Sequence, residues 1–566
     1  MQETSEKTTE DNPAEQTSTW LALRNPVFRR LWLAMVVSGS CIGAHNTAVY
    51  WALHSLGAKT VLISFMATVS ALPYTLFTLP AGAIADMVDR KKILLAVQLW
   101  HVSIAFALAI LWMAHLLNPY IILASAFLFS AGFAFGSPAH SSVIAEMVSA
   151  EELGSAYTLA GLQMDVSGII GPLFSALLLP LAGVSFIFGA NGLGFLLMFL
   201  AILLWKRVKV QPSLPMETFF ESLTTAIRYV RYSPGIKILL ARHALFSFFI
   251  SIIPSLMPVV GLTELHLKAS HLGYLFTAMA VGSVISGAFI IPWARARYSP
   301  QRITTSANLV LLLNGCLMVL VHRPLVFLVV AALGGMGWTL SASELWVASQ
   351  RAMPEWARGR LNAILVMFAQ AATALGGVIW GLAAHHAGVV PTFLGSAVFG
   401  ALVMIIVRVV PGFQMSIDFT KSLSFESAPV SIFSHSLDTS RLPAPKDGPV
   451  SITAEFNLDP THRNECIDLM RDARLIFLRN GASRWHLYED LKQPNKFRME
   501  IVVPSWKQHL LERERMTKNE KEVIEKLRGL RTDPNPPEEW VALSVEKEVL
   551  NSRVRTGGLP PDYIDQ

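Results

Sequence analysis

Twelve apolar runs, each near the roughly twenty residues that cross the hydrocarbon core of a bilayer, limit what this chain can become. The first six are approximately Leu31–Leu53, Val61–Ala85, Ile93–Leu117, Tyr120–Ala145, Leu153–Leu181 and Val184–Trp205. The second six are Ile238–Leu262, Leu272–Trp293, Ile303–Val321, Leu325–Val347, Leu361–Ala384 and Val389–Val407. Apolar residues thin out beyond about residue 410. With 52% hydrophobic and 15% charged residues and a mean hydropathy of +0.46, the 566-residue chain lies outside the soluble globular range. The expected fold class is an α-helical membrane protein with a smaller polar domain at its end.

The net charge of +6 is a topology signal rather than a sign of nucleic acid. Arg24, Arg29 and Arg30 precede the first run, and Arg90, Lys91 and Lys92 fill the turn after the second. Lys206, Arg207, Lys209, Arg228 and Arg231 follow the sixth; Arg295, Arg297 and Arg302 follow the eighth; Arg351, Arg358 and Arg360 follow the tenth. The alternate turns hold only Lys59, Lys268 and Arg323. Basic short loops stay cytoplasmic, so both termini are expected there, with lipid as the chief surroundings. Residues 1–19 are polar, lack the apolar core of a signal peptide and are expected to be a disordered tail. Cys41, Cys316 and Cys466 are too far apart for a metal or redox spacing.

The chain repeats itself at an offset of 205 positions, which carries Gly82 onto Gly287, Arg90 onto Arg295, Lys92 onto Arg297, Gly154 onto Gly359 and Gly171 onto Gly376. Before the first run, Asn25-Pro26 finds its counterpart in Ser233-Pro234 after a small insertion. Two six-helix bundles are therefore expected, residues 20–205 and 238–410, joined by a connector, 206–237. Within the connector Phe219, Phe220, Leu223, Ile227 and Val230 keep the spacing of an amphipathic surface helix.

The turn between runs two and three reads Gly82-Ala-Ile-Ala-Asp86-Met-Val-Asp89-Arg90-Lys91-Lys92. Gly82 permits close helix approach, and Asp86, one helical turn on, is placed to cap or pair with another helix end. Charge alone allows an ordinary basic loop. The arrangement resembles the signature loop of the major facilitator superfamily, G-x-x-x-D-x-x-G-R-R/K, with Asp89 standing where the family has a second Gly. The resemblance implies the twelve-helix fold of two pseudo-symmetric bundles. It also implies a latch in which Asp86 and Arg90 hold an outward-facing state by contacts with the opposite bundle.

Ionisable groups inside a membrane are costly and are usually buried or functional. Among Asp, Glu, Lys and Arg, only Asp165, Arg242 and Glu344 fall within the runs. Asp165 is about 18 Å into the fifth run at helical rise, near mid-membrane, and is the leading proton or cation site. Arg242 and Glu344 lie nearer the cytoplasmic ends, where snorkelling is the slightly favoured role over gating. His45, Asn46 and His101 are the further polar candidates for the pathway, although a lone membrane His more often bonds a neighbouring helix. After Asp165 come Gly168, Gly171 and Pro172, resembling the G-x-x-x-G-P motif of proton-coupled exporters in this superfamily. The Arg that such antiporters carry in the fourth span has no equivalent between Tyr120 and Ala145.

Beyond a Ser- and Pro-rich linker, 411–449, residues 450–545 read strand, helix, strand, strand, helix, strand, the order of a ferredoxin-like α+β domain. In it, Pro504 to Leu530 is expected as one long charged helix; residues 546–566 are a further tail. The segments at Trp485 and at Ser505–Arg515 resemble the tail of the transmembrane secretion effectors, the branch that includes relatives of the enterobactin exporter. Its fold is similar to that of antibiotic-biosynthesis monooxygenases, which makes self-association through the tail an option. Trp485, Trp506 and His509 are placed in its core rather than in an active pocket.

The resemblance implies a non-enzymatic secondary transporter of the bacterial inner membrane. It would export a small organic molecule (a siderophore, drug or amphiphilic metabolite) by alternating access with protons as partner. No metal cluster, phosphate loop or cofactor motif is read in the runs, and none is expected. An importer on the same fold, a membrane-tethered enzyme acting through the tail, and a non-transporting sensor are the alternatives.

Overall fold

The structure, a computed structural model, describes residues 20–149, 151–205, 219–409, 443–444, 446–532 and 538–544. The expected terminal tails and most of the linker lie outside these residues. Among them, eleven helical segments are long and apolar enough to cross a membrane. In chain order the helices are α1 (Pro26–Ser55), α2 (Thr60–Met87), α3 (Arg90–Met113), α4 (Pro119–Met147), α5 (Leu153–Leu204), α6 (Phe219–Tyr232), α7 (Pro234–Ile250), α8 (Ile252–Val259), α9 (Ala269–Ile285), α10 (Ile291–Arg295), α11 (Pro300–Leu320), α12 (Pro324–Ala352), α13 (Arg358–Ala387) and α14 (Val389–Val409).

Local chemistry sets several of these starts. Asn25 accepts from the Val27 amide at 3.0 Å ahead of Pro26, and Asn118 accepts from the Ile121 amide at 3.0 Å ahead of Pro119. Each pairs an N-cap side chain with a Pro preset for the first helical position. Asp89 caps α3 in the same way, accepting from the Lys91 amide at 2.9 Å with φ −57°. The departure from the family's Gly is thus a helix cap in a conformation that needs no glycine.

α5 is 52 residues long, about 78 Å at helical rise and more than twice a bilayer. It doubles back at Gly183, where φ is 78°. A Cβ on Gly39 would lie 2.6 Å from Ser167 Oγ, and one on Gly194 would lie 3.0 Å from Cys41 Cβ. Both arms of α5 therefore return to one stretch of α1, and the turn falls between the fifth and sixth apolar runs of the sequence. The seventh run is broken rather than continuous, with α7 ending before Ser251 and α8 containing Pro258.

The sequence repeat returns in three dimensions at one helix contact. A Cβ on Gly171 would meet the Ser40 carbonyl at 2.5 Å and Gly43 Cα at 2.8 Å; one on Gly376 would meet the Phe248 carbonyl at 2.7 Å and the side chain of Ser251. Ser40 and Gly43 correspond to Phe248 and Ser251 at the shifted offset that relates Pro26 to Pro234. With no hydrophobic drive between helices in lipid, such backbone-to-backbone approach supplies much of the association.

The tail contains β1 (Val450–Asn457), α15 (Arg463–Asn480), β2 (Arg484–Glu489), β3 (Lys496–Val503), α16 (Trp506–Arg515), α17 (Lys518–Gly529) and β4 (Glu538–Leu543). The sheet order is β2-β3-β1-β4, with β1–β3, β1–β4 and β2–β3 all antiparallel. Alternate residues of β1, Val450, Ile452, Ala454 and Phe456, are buried in one core with Cys466, Met470, Ala473 and Phe477 of α15. The expected single helix from Pro504 to Leu530 is two helices. Thr517 starts the second with a capping box, its side chain accepting from the Glu520 amide while Glu520 accepts from the Thr517 amide at 2.8 Å.

Two compact units are distinguished. One contains most of the long helices. The other joins the tail to Met216–Leu239, which includes α6, and to Ala348–Leu361, the turn between α12 and α13.

Candidate translocation pathway and its gates

The first arm of α5 has two working faces. One carries Ser155, Gln163, Ser167 and Gly171, four or eight positions apart, against the start of the chain and α1. Ser155 Oγ accepts from the Ala22 amide at 3.0 Å, Gln163 Nε2 donates to the Met35 carbonyl at 3.2 Å, and Ser167 Oγ donates to the Val36 carbonyl at 3.2 Å. Regular small polar spacing was the available signal for this seam, and the sequence reading passed over it.

The other face carries Asp165, Ile169, Pro172 and Ala176 toward the second half. A Cβ on Gly273 of α9 would lie 2.5 Å from the Pro172 carbonyl, Thr277 Oγ1 donates to the Ile169 carbonyl at 3.5 Å, and a Cβ on Gly168 would lie 3.7 Å from Ala280. The glycine–proline motif is therefore divided between two tasks. Gly171 packs within the first half, while Gly168 and Pro172 meet the second. Asp165 stands one turn beyond the last of these contacts, and it is exposed.

Other contacts between the halves lie toward the same end. Tyr50 Oη donates to the Pro254 carbonyl at 3.2 Å, and its ring stacks on Phe276 with centroids 5.7 Å apart. Thr68 Oγ1 donates to the Ala374 carbonyl at 2.9 Å, and Ser64 and Thr68 face Gly381 and Gly377. All lie in the halves of their helices remote from the basic turns, and together they join the two halves of the chain there.

At the opposite end, basic residues bond within their own halves. Arg90 Nη1 pairs with Glu146 Oε1 at 2.8 Å, and Lys91 Nζ donates to the carbonyls of Leu203 at 2.9 Å and Trp205 at 2.6 Å. Arg295 Nε pairs with Glu344 Oε1 at 2.7 Å. Gly82 has open space around its Cβ position, as does Gly287, its repeat partner. Lys92 is exposed. The side chain of Asp86 lies outside the described residues.

The remaining candidates separate by burial. Asn46 is exposed on α1. His45 is enclosed by the rings of Phe129 and Phe188, each at 4.9 Å. His101 packs against Phe133 at 4.4 Å and Phe195 at 4.6 Å, and its Nε2 meets the Phe129 carbonyl at 3.0 Å. Both imidazoles sit in the packed interior of the first half rather than on a cavity wall. Glu344 does not snorkel: it is 4% exposed, and Arg295, at 42%, is the partner that reaches outward. Arg242 is half-buried on α7.

Two halves repeated in sequence, joined among the described residues by the contacts above, define a multi-pass membrane protein of the major facilitator fold. The chain belongs to the transmembrane secretion effectors of that superfamily, whose sequence pattern matches residues 17–549. Macrolide efflux protein A of Streptococcus pyogenes is 23% identical over 271 residues, covering 46% of this chain and 66% of that protein. The enterobactin exporter of Shigella boydii serotype 4 is 24% identical over 351 residues, 60% of this chain and 81% of that protein. The fold is shared with a bacterial homologue of the human lysosomal transporter Spinster in an inward-facing, unoccupied conformation (TM-score 0.56, 14% identity, 72% of this chain and 99% of that one). It is also shared with a bacterial homologue of the iron transporter ferroportin in an inward-facing state (TM-score 0.53, 16% identity, 67% and 98%).

Proposed function

We propose that this protein is a secondary transporter of a bacterial inner membrane that exports a small amphiphilic organic molecule by alternating access, driven by inward protons. Its twelve crossings form two six-helix bundles with both termini cytoplasmic, and its tail is a ferredoxin-like domain in the cytoplasm. The carrying observation is the set of contacts from α1, α2 and α5 to α8, α9 and α13, which we read as a seal at one end, with Asp165 exposed one turn inside it. On this topology the seal is periplasmic and the arrangement is inward-facing. The relatives' descriptions, macrolide efflux and enterobactin export, support the direction and the substrate class.

Asp165 is the proton or cation site in this reading, and exposed Asn46 is a polar contact for cargo. A carboxylate between lipid and an aqueous cleft binds a proton when the cleft seals and water withdraws, and releases it when water returns. His45 and His101 then serve packing. The Asp86–Arg90 latch would act in the opposite state, after Arg90 changes partners.

The test is transport by purified protein in proteoliposomes under an imposed pH gradient, with erythromycin and a catecholate siderophore as probes. Gradient-driven movement is expected for the wild type and is expected to be lost in Asp165→Asn, with solute counterflow retained. Counterflow without any response to the gradient in the wild type would reject proton coupling; no movement of either probe under any ion gradient would reject export of this class.

A further inference from the structure

We propose that the tail domain is a clasp that biases the two halves toward the arrangement seen here, by gathering α6 and the α12–α13 turn around Trp356. Trp356 lies in the short turn Glu355–Ala357. Tyr229 of α6 meets its ring edge-on, with centroids 5.6 Å apart and planes at 81°. The Arg515 guanidinium of α16 lies over the same ring, 4.4 Å from its centroid. Arg228 Nη1 donates to the Gly481 carbonyl at 2.6 Å, and Tyr232 packs against the hydrophobic core of the tail. Gly481 ends α15 at φ 151°, and a Cβ there would collide with Gln508, so the carbonyl that Arg228 reaches depends on glycine.

Connectivity makes this grip a conformational device. α6 ends one residue before α7, and the Trp356 turn leads directly into α13. The α7–α8 segment and α13 contribute the carbonyls of Pro254 and Ala374 to the seal, accepting from Tyr50 and Thr68. The clasp therefore holds the near ends of two segments whose far ends close the pathway. α6 is also the last part of the connector from the first half, so a held α6 fastens that connector to the second half. A rigid element that grips one of two arrangements shifts their populations by its differential contact energy. The bias rests on the reading that the halves rock; the clasp itself does not.

The test uses the intact protein in lipid nanodiscs, with Ser255→Cys placed in a background lacking the native cysteines. Ser255 is fully buried in the seal, where a Cβ on Gly377 would lie 3.4 Å from its Oγ. Trp356→Ala is expected to speed amide exchange across residues 219–232 about tenfold, leave β1 protected, and raise several-fold the labelling of the introduced thiol by a membrane-impermeant maleimide. Trp356→Phe keeps a flat ring for Tyr229 and Arg515 and should restore both readouts. Unchanged exchange over 219–232 overturns the clasp, and faster exchange with unchanged labelling overturns the bias. If β1 protection collapses as well, Arg228→Gln, which lies outside the tail, decides by the same two readouts. Loss of proteoliposome transport with these readouts as expected would count against the proposed function instead.

Discussion

Gly171 and Gly376 hold equivalent places in the two halves: each sits so close to a backbone carbonyl of its half's leading helix, Ser40 or Phe248, that a Cβ would lie within 2.7 Å of it. The relationship turns a sequence offset into a physical constraint. Neither helix pair can reach its observed separation if a methyl group intervenes.

Gly171→Ala and Gly376→Ala are therefore expected to lower stability by about 1–3 kcal/mol each, the usual cost of overpacking. Gly154→Ala, where nothing lies within 4 Å of the added Cβ, is the control and should be near neutral. Thermal unfolding of the purified variants in one detergent compares them; equal midpoints for Gly154→Ala and Gly171→Ala would contradict the contact.

The Arg295–Glu344 pair makes a second prediction. Removing the arginine leaves a nearly buried carboxylate, whereas removing the carboxylate leaves an arginine that still reaches solvent. Arg295→Gln is thus expected to cost about 2 kcal/mol or more and Glu344→Gln distinctly less. Denaturation midpoints of the two variants give the order, and the reverse order would show that Glu344 finds another donor.

In the tail, Glu520 holds several elements at once. It accepts from Arg479 Nε at 2.6 Å and from Asn480 Nδ2 at 3.3 Å, and it completes the Thr517 capping box. Glu520→Ala should cost about 2–4 kcal/mol, because it strands a half-buried arginine and frees a helix start. Exchange protection of β1 in the intact protein is the readout, and Thr517→Ala should show only about 1 kcal/mol of that loss.

Burial, with Glu520 adding repulsion, pushes the Glu512 carboxyl up to about 8. Between the ordinary glutamate value of about 4.3 and that raised value, the folded tail keeps a proton that the unfolded chain has released. The stability from this group is complete below the lower value and declines as pH rises through the window, by about 1.4 kcal/mol per pH unit. Tail protection, corrected for intrinsic exchange rates, should fall from pH 6 to pH 8 in the wild type. In Glu512→Gln it should be flatter; an equally steep fall in the variant would assign the titration elsewhere.

Much of the membrane architecture was legible because lipid permits few solutions. A run of about twenty apolar residues must become a helix, and the reversal at Gly183 falls in the gap between the runs that end at Leu181 and start at Val184. The repeat was readable from glycines and cations at matching offsets, although of the matched glycines only Gly171 and Gly376 stand in a close backbone approach. The first strand of the tail was legible as alternation in Ser451–Phe456 and its first helix as the period of Cys466, Met470, Ala473 and Phe477, whereas the central place of β1 between β3 and β4 was not. The break at Thr517 was missed because a capping box is a local motif inside a run with continuous helical propensity.

Composition, periodicity and the placement of cations determined by themselves that this chain lives in a membrane as two related helical halves with a polar tail. They ranked Asp165 ahead of His45 and His101 but could not tell which of them is exposed, since one-dimensional spacing does not tell an open position from a packed interior. Which partner each charge takes, which face of α5 meets which half, and how Trp356 gathers three distant segments were decided only in the tertiary structure. Those choices depend on distances between residues far apart in the chain, and such distances exist only once the helices have packed.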